Sequence, residues 1–354
     1  ECVLAVMVTA VLRYTVVTGE AFTYVLGEFP APWGNELRAG TLEASIAVLF
    51  IAVMLCAVLA GQHYVRKDID ESKVNIYYAI LNLMTAAIMA MTWTNDIFSG
   101  YVFLEILTLT SCGSLIVREI GRTTLAAVRY MILNLLGSGL FLLGVIFLYD
   151  ISGHLLMENI QQQITAIMAA GTYRIPMLIT IGIITVGLSI KSALFPFHSW
   201  VPDAYGYATV SSGAILSSLV SKGYIFLLIK IMYRVIGLDV IVKTGITDVL
   251  FAFALVGMVM GSLSAIRQND IRRMVAFSSV AQICYIYMGI GLGTDAGMMA
   301  AMFHLFSHTL CKSMLFLAAG GLADASGNSK IFRDLRGAGY RSPIAGIAFT
   351  IGAL

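Results

Sequence analysis

Long apolar segments separated by short polar connections run through the whole chain. Ten segments are long enough to cross a hydrocarbon layer of about 30 Å, and an eleventh begins near the last residues. They fall near residues 3–18, 42–60, 74–94, 97–117, 125–149, 176–200, 210–236, 246–266, 274–293 and 297–320, with the eleventh from 343. Continuous runs of this length, without the alternation of strands, predict an all-α polytopic membrane protein.

Composition supports the same class. Of the 354 residues 59% are hydrophobic and 12% are charged, against about 25% charged in soluble domains. The net charge of +2 comes without a basic cluster that interleaves aromatic residues, so the lipid bilayer is the expected environment and nucleic acid is not an expected partner. The five cysteines form no CxxC pair, which argues against a disulfide framework or a zinc knuckle.

The order of the segments suggests a domain organisation. Residues 1–73 form N-terminal helices, residues 74–236 form five spans, and residues 246–354 begin a second set of five from the opposite side. A repeat with an odd number of spans is inverted, which is a common transporter design. Glu1 opens directly into one apolar run and Leu354 stops inside another, so we expect the interior of a longer protein.

Alternate threading through the bilayer places most cations on one side. Cytoplasmic loops of membrane proteins are rich in Lys and Arg, so this side is predicted to be cytoplasmic in a cell (inner) membrane. The cations of this side are Arg66, Lys67, Lys73, Arg118, Arg122, Arg129, Arg267, Arg272, Arg273, Lys330, Arg333, Arg336 and Arg341. The opposite side holds little more than Arg38, Arg174, Arg234 and Lys243.

Lys191 is the most informative charge inside a span. It ends an apolar run five residues before Pro196, so a broken helix near Lys191–Pro196 is predicted. Buried ammonium groups are costly and usually mark ion or proton pathways. Glu105 lies near the middle of another span and is its candidate partner, which at about 4 Å would attract it by roughly 4 kcal/mol. The alternative is a static ion pair that only fixes packing.

Three more groups continue this proton path. Lys222 is a lone cation in an apolar helix, with Ser217, Ser218 and Ser221 within about a turn. His304, His308 and Lys312 recur every four residues and share one helix face. Histidine titrates near physiological pH, which suits proton transfer. A zinc site is not predicted, because Leu305 replaces the glutamate of HExxH and a third ligand is not evident.

Four residues are secondary candidates. Lys230 lies two turns after Lys222 and is either functional or an anchor that extends to the interface. Glu43 begins a helix, where a carboxylate stabilises the helix dipole, and a site role is the alternative. His198 and Asp203 follow the predicted break and are expected to order its cytoplasmic loop.

Taken together, these motifs resemble the antiporter-like subunits shared by respiratory complex I, Mrp-type Na+/H+ antiporters and membrane-bound hydrogenases. Five stretches carry the resemblance in the family's order: Phe103–Thr108, Lys191–Ala204, Ser218–Gly223, Arg272–Gln282 and Phe303–Lys312. The motif Glu28–Arg38 is most similar to the Mrp D and hydrogenase branch. Tyr205–Thr209 departs from the Pro-containing loop expected before the Lys222 helix.

The resemblance implies fourteen helices, two inverted five-helix repeats with broken helices, and a hydrophilic axis through Glu105, Lys191, Lys222, His304, His308 and Lys312. It implies no cofactor in this chain, other membrane subunits as partners, and H+ with Na+ or a redox module as the coupled process. One alternative is the proton-pumping subunit of an NADH:quinone oxidoreductase, and another is a scaffold that transports nothing. A membrane protease is not predicted, because the chain has neither an HExxH motif nor a credible Ser/Lys dyad.

Overall fold

Helices make up almost all of the fold. A computed structural model describes residues 1–29, 35–171 and 173–354. The helices are α1 (Cys2–Thr18), α2 (Thr41–Asp68), α3 (Glu71–Trp93), α4 (Ile97–Ile116), α5 (Gly121–Ser152), α6 (Met157–Ala169), α7 (Arg174–Ser192), α8 (Val201–Tyr207), α9 (Val210–Ile215), α10 (Ser221–Ile231), α11 (Leu238–Thr244), α12 (Ile246–Ile266), α13 (Ile271–Gly291), α14 (Asp295–Asp324), α15 (Ala338–Arg341) and α16 (Pro343–Ala353).

The polytopic architecture predicted from hydropathy is confirmed. Within the described residues, 9 helical stretches are long and apolar enough to span a membrane. The first and last predicted segments instead form apolar helices of 17 and 11 residues, α1 and α16. The predicted ten to eleven spans therefore correspond to nine of spanning length and two shorter helices.

A small β-hairpin interrupts the helical pattern and was not predicted. Strand β1 (Phe22–Val25) pairs antiparallel with strand β2 (Glu36–Ala39) in the connection between α1 and α2. β1 consists of Phe, Thr, Tyr and Val, which favour the pleated conformation. The Glu28–Arg38 motif runs through this connection, and its residues 30–34 lie outside the described part of the chain.

The helix at the centre of the fold runs from Val210 to Ile236 and is buried on all sides. It joins α9 and α10 through a π-helical turn, Leu216–Val220, and ends in a second one, Met232–Ile236. Every residue from Val210 to Met232 is buried. A helix that is apolar all round belongs inside a bundle, and this one brings Lys222 and Lys230 with it.

The preceding span is broken. α7 ends at Ser192, the next residue adopts a left-handed conformation, and a 3-10 turn at Phe197–Trp200 leads into α8. Pro196 cannot donate a backbone hydrogen bond, which explains why the α-helix does not continue through it. Lys191 thus lies in the last turn of α7, where the helix dipole favours a cation.

The connection between α5 and α7 contains the amphipathic helix α6. Met157, Ile160 and Ile164 are buried on one side of it, while Gln162 and Gln163 are exposed on the other. α6 packs against the second π-helical turn of the central helix, and its amphipathic pattern accounts for its position along the bundle surface.

Candidate functional site

Lys191 is buried between α4 and the central helix. Its Nζ donates to the hydroxyl of Thr108 at 2.7 Å and lies 5.3 Å from the ring centroid of Tyr224. Thr108 Oγ1 also donates to the carbonyl of Leu104 and lies 3.0 Å from the Tyr224 hydroxyl. Because a hydroxyl has one proton and two lone pairs, Thr108 accepts from both Lys191 and Tyr224.

The predicted direct ion pair of Glu105 with Lys191 is not formed. No carboxylate lies within 4.0 Å of Lys191 Nζ among the described residues. Glu105 lies one turn before Thr108, within electrostatic range of Lys191. Its buried Oε1 has no hydrogen-bond partner in the described part of the chain. The Thr108 hydroxyl occupies the position that the sequence assigned to the carboxylate.

Lys222 is bound by a backbone carbonyl, that of Ser217, inside the first π-helical turn. In a π-helical turn each amide N–H bonds to the carbonyl five residues earlier, one residue further than in an α-helix. Where α-helical bonding resumes, one carbonyl is therefore left without an amide partner. The Lys222 ammonium satisfies it. The nearby serine hydroxyls bond elsewhere, those of Ser217 and Ser218 to the carbonyl of Ala214.

The second π-helical turn ends the central helix, so its last carbonyls have no amide of the same helix to bind. Gly237 N–H bonds to Met232 O at 3.0 Å, a five-residue step, and the next carbonyl, Tyr233 O, accepts from Gln161 Nε2 of α6 at 2.8 Å. In both turns a side chain thus binds a backbone carbonyl. In the first turn that side chain is a cation inside the bundle.

The helix face predicted on α14 is present and faces α13. Lys312 donates to the hydroxyl of Ser278 and lies 3.4 Å from the carbonyl of Val275. The rings of His304 and His308 stack at 5.9 Å, with an interplanar angle of 6°. Neither ring nitrogen of buried His308 has a hydrogen-bond partner among the residues that the structure describes. Lys222 lies within electrostatic range of His308 and Lys312.

Lys230 does not extend to the interface as an anchor would. It is 4% exposed, and its ammonium binds the carbonyls of Thr92 and Thr94 at the C-terminal end of α3. A cation at this end stabilises the last carbonyls of the helix, which have no intrahelical amide partner. The anchor interpretation of Lys230 is therefore wrong.

Glu43 lies in the first turn of α2, as its predicted dipole role requires. Its Oε2 accepts from the backbone N–H of Gly40 at 3.0 Å, and its Oε1 is 2.7 Å from Arg234 Nη2. Together with Lys230 it lines an open, mostly apolar cavity of about 540 Å³ at one end of the bundle.

The two residues after the break differ in their contacts. Asp203 lies 2.6 Å from Arg129 and 3.3 Å from Arg273, so it ties α8 to α5 and α13. The His198 ring stacks on Phe195, at 5.4 Å between centroids. These contacts are of the kind that order a loop.

The structure thus brings the predicted residues into two groups, Glu105 with Lys191, and Lys222 with the α14 face. Tyr224 lies two residues beyond Lys222 and over Lys191, which connects the groups. Thr108, Tyr224 and Ser278 were not singled out by sequence, although Thr108 ends a recognised motif. Among the described residues, no three His, Cys, Asp or Glu side chains cluster closely enough to hold a metal ion.

Comparison with known proteins identifies the family. The profile described as "NADH:quinone oxidoreductase/Mrp antiporter, TM" matches residues 94–354. The chain is 34% identical over 343 residues to the NADH-quinone oxidoreductase subunit N of Desulforudis audaxviator, covering 97% of this chain and 67% of that one. It is 25% identical over 353 residues to the D-type subunit of the Na(+)/H(+) antiporter of Bacillus subtilis, covering 99% and 69%.

Solved structures share the fold. The archaeal membrane-bound sulfane sulfur reductase, a respiratory membrane complex, contains a chain that superposes with a TM-score of 0.88 at 27% identity, covering 99% of this chain and 70% of that one. The Mrp complex from Dietzia sp. gives a TM-score of 0.74 at 22% identity, covering 99% and 72%, which shows likeness of fold.

These matches include both respiratory and antiporter subunits, so the preference for the Mrp and hydrogenase branch stays a prediction. The chain spans about two thirds of the length of the relatives described above. The profile covers well over half of the chain, and among the side chains that the structure describes it includes every buried charge of the spans except Glu43. The chain belongs to the NADH:quinone oxidoreductase/Mrp antiporter transmembrane family, as its motifs predicted.

Proposed function

We propose that this chain is a proton-translocating, antiporter-like subunit of a multisubunit membrane complex. One observation carries the proposal: Lys191, Lys222 and Lys312 are buried in the bundle, and each donates to a neutral oxygen instead of a carboxylate. A neutral oxygen accepts a hydrogen bond from an ammonium and from an uncharged amine alike. Each lysine can therefore gain or lose a proton without breaking an ion pair.

The order of the groups supports lateral transfer. Glu105 acts on Lys191 through space, so its protonation changes how strongly that lysine holds its proton. Lys222 and Lys312 are like charges within range of each other, so a proton that reaches one favours release from the other. His308 lies within range of both lysines and can pass a proton through either ring nitrogen.

The two ends of the bundle support a membrane orientation. The ion pairs Lys67–Asp324, Arg118–Asp68 and Arg273–Asp203 gather at one end, which we assign to the cytoplasm by its cation excess. The Glu43–Arg234 pair and the cavity with Lys230 mark the other end. Since α3 begins at the first end and α12 at the other, the five spans of residues 74–236 and the three spans with α16 of residues 246–354 are interpreted as one repeat and the first part of a second, inverted one.

Two processes are candidates for the one that is coupled to proton translocation. The relative in Bacillus is a subunit of a Na(+)/H(+) antiporter, and the relative in Desulforudis is a subunit of an NADH-quinone oxidoreductase. Exchange of H+ for Na+ and redox-driven pumping therefore both fit the family. A scaffold role without transport is disfavoured, because buried lysines are costly to keep in a membrane.

Ion flux in proteoliposomes holding the intact complex tests this function. Internal pH and radioactive sodium are recorded together for wild type, Lys191→Ala and the exposed control Lys243→Ala. We expect proton flux to be lost only in Lys191→Ala. Sodium moving opposite to protons would identify an antiporter, and proton flux independent of sodium a pump. Unchanged flux in Lys191→Ala would reduce the chain to a scaffold.

A further inference from the structure

A polar cavity lies at the cation-rich end, away from the proton axis. Its volume is about 260 Å³, and it is lined by α2, α9, α13, α14 and the segments that follow α4 and α14. The lining residues with charged or titratable side chains are Tyr64, Lys67, Asp68, Arg118, Arg272, Asp324 and Lys330. Two further titratable residues lie next to the lining residues: Asp270 at the start of α13, and His63, whose Nε2 is 3.5 Å from Asp324.

Positive charge exceeds negative charge on the cavity wall. Lys67 pairs with Asp324 at 2.7 Å, and Arg118 pairs with Asp68 at 3.0 Å. Arg272 and Lys330 have no carboxylate within 4.0 Å among the described residues. Arg272 is 2% exposed, so its charge is removed from bulk water without a carboxylate in direct contact, and Asp68 and Asp270 act on it only at longer range.

Backbone carbonyls satisfy only part of these cations. Arg118, Arg272 and Lys330 converge on the end of α8, donating to the carbonyls of Tyr207, Ala208 and Gly206 respectively. The buried Nε atoms of both arginines remain without a hydrogen-bond partner in the described part of the chain. The carbonyl dipoles stabilise the guanidinium groups but supply no full negative charge.

We propose that this cavity binds a phosphate-bearing anion, supplied by the headgroup of an anionic lipid or as free phosphate. Arginine presents planar N–H groups that match phosphate oxygens, and two arginines and a lysine meet here. Basic pockets at the cytoplasmic ends of membrane helices are suited to lipid headgroups. The anion supplies the charge that the wall lacks. This site goes beyond the proposed proton transport and needs none of its groups.

Lys330 makes this binding depend on pH. Burial and the neighbouring guanidinium groups of Arg272 and Arg118 lower the pKa of Lys330 to about 7. An anion in the cavity favours the ammonium form, so binding takes up a proton. By linkage, the anion binds most tightly below pH 7, and its affinity falls as the pH rises through about 7.

The test uses the purified intact complex and two probes. Equilibrium dialysis with radioactive inorganic phosphate measures free phosphate binding. Native mass spectrometry from nanodiscs of phosphatidylglycerol or phosphatidylcholine measures retained lipid. Both are run with wild type, Lys330→Met, Lys330→Arg and Arg333→Met, the last a control for an exposed cation three residues away.

Affinity for one probe is expected to fall roughly tenfold in Lys330→Met and to stay unchanged in Arg333→Met, since a charged hydrogen bond contributes about that factor. The affinity of Lys330→Arg should depend less on pH between 6 and 8 than that of wild type. Because phosphate itself titrates in the same way with both proteins, such a difference comes from Lys330. The probe that responds identifies the source of the anion. If Lys330→Met binds each of the two probes with the same affinity as wild type, the proposal is overturned.

Discussion

Three lysines in the same apolar bundle are bound by three different neutral acceptors. Lys191 donates to the Thr108 hydroxyl, Lys222 to a carbonyl freed by a π-helical turn, and Lys312 to the Ser278 hydroxyl. An unsatisfied ammonium in such surroundings would cost several kcal/mol, so a partner for each is required. Neutral partners satisfy the donors and leave the charge free to change.

Thr108→Val tests the importance of a neutral acceptor. The change keeps the shape of the side chain but removes the oxygen that binds Lys191 and Tyr224. We expect proton flux in proteoliposomes to fall roughly ten- to hundredfold, since a hydrogen bond to a charged group contributes about 1.5–3 kcal/mol.

Thr110→Val is the matched control. Among the described residues its hydroxyl bonds only to carbonyls of its own helix, those of Ile106 and Leu107. It should retain flux close to wild type. Equal flux in both variants would show that the Thr108 hydroxyl has no part in transfer.

Helix α7 is positioned by a close approach to α5. A Cβ placed on Gly187 would lie 2.8 Å from both the carbonyl oxygen of Gly137 and the amide nitrogen of Phe141. Both contacts are with backbone, which cannot move aside cheaply. Lys191 lies one turn further along α7, so the helix contact fixes where its ammonium lies.

Gly187→Ala is therefore expected to destabilise the α5–α7 contact by about 1–3 kcal/mol, as overpacking does. The measurement is the temperature at which half of the purified complex is lost from its size-exclusion peak. Gly182→Ala on the same helix is the control, because a Cβ there meets nothing within 4 Å. A lower melting temperature for Gly182→Ala than for Gly187→Ala would contradict this packing argument.

At the scale of the whole molecule, charge is segregated to two ends of the bundle. Each of the long helices α2, α13 and α14 has an ionic contact at the cation-rich end, through Lys67, Arg273 and Asp324. The opposite end has fewer cations, among them exposed Lys243. Insertion follows the bias of Lys and Arg, so the cation-rich end is expected to face the cytoplasm.

Cysteine labelling in whole cells checks this orientation. Arg333→Cys and Lys243→Cys are made in a chain whose five native cysteines are replaced by serine. A maleimide that cannot cross membranes should label Lys243→Cys in intact cells and Arg333→Cys only after lysis. The reverse pattern would invert the proposed orientation.

The spans, the break before Pro196 and the candidate proton-path residues could be predicted from the sequence. Hydropathy and cation bias are sums over about twenty neighbouring residues, so they do not depend on packing. The same holds for the shared face of His304, His308 and Lys312, which follows from helical spacing. The sequence alone determined that this is a bundle of membrane helices with costly charges inside it.

Only the tertiary structure decided which atoms bind those charges. Lys191 and Thr108 are 83 positions apart, and Lys330 and the Gly206 carbonyl are 124 apart. Glu105 was the expected partner of Lys191 because opposite charges attract. The hydroxyl of Thr108, one turn after Glu105 on α4, binds the ammonium instead. The π-helical turn that frees Ser217 O has no sequence signal, because its backbone step depends on how the central helix packs. Partners across a fold depend on distances that local sequence does not contain.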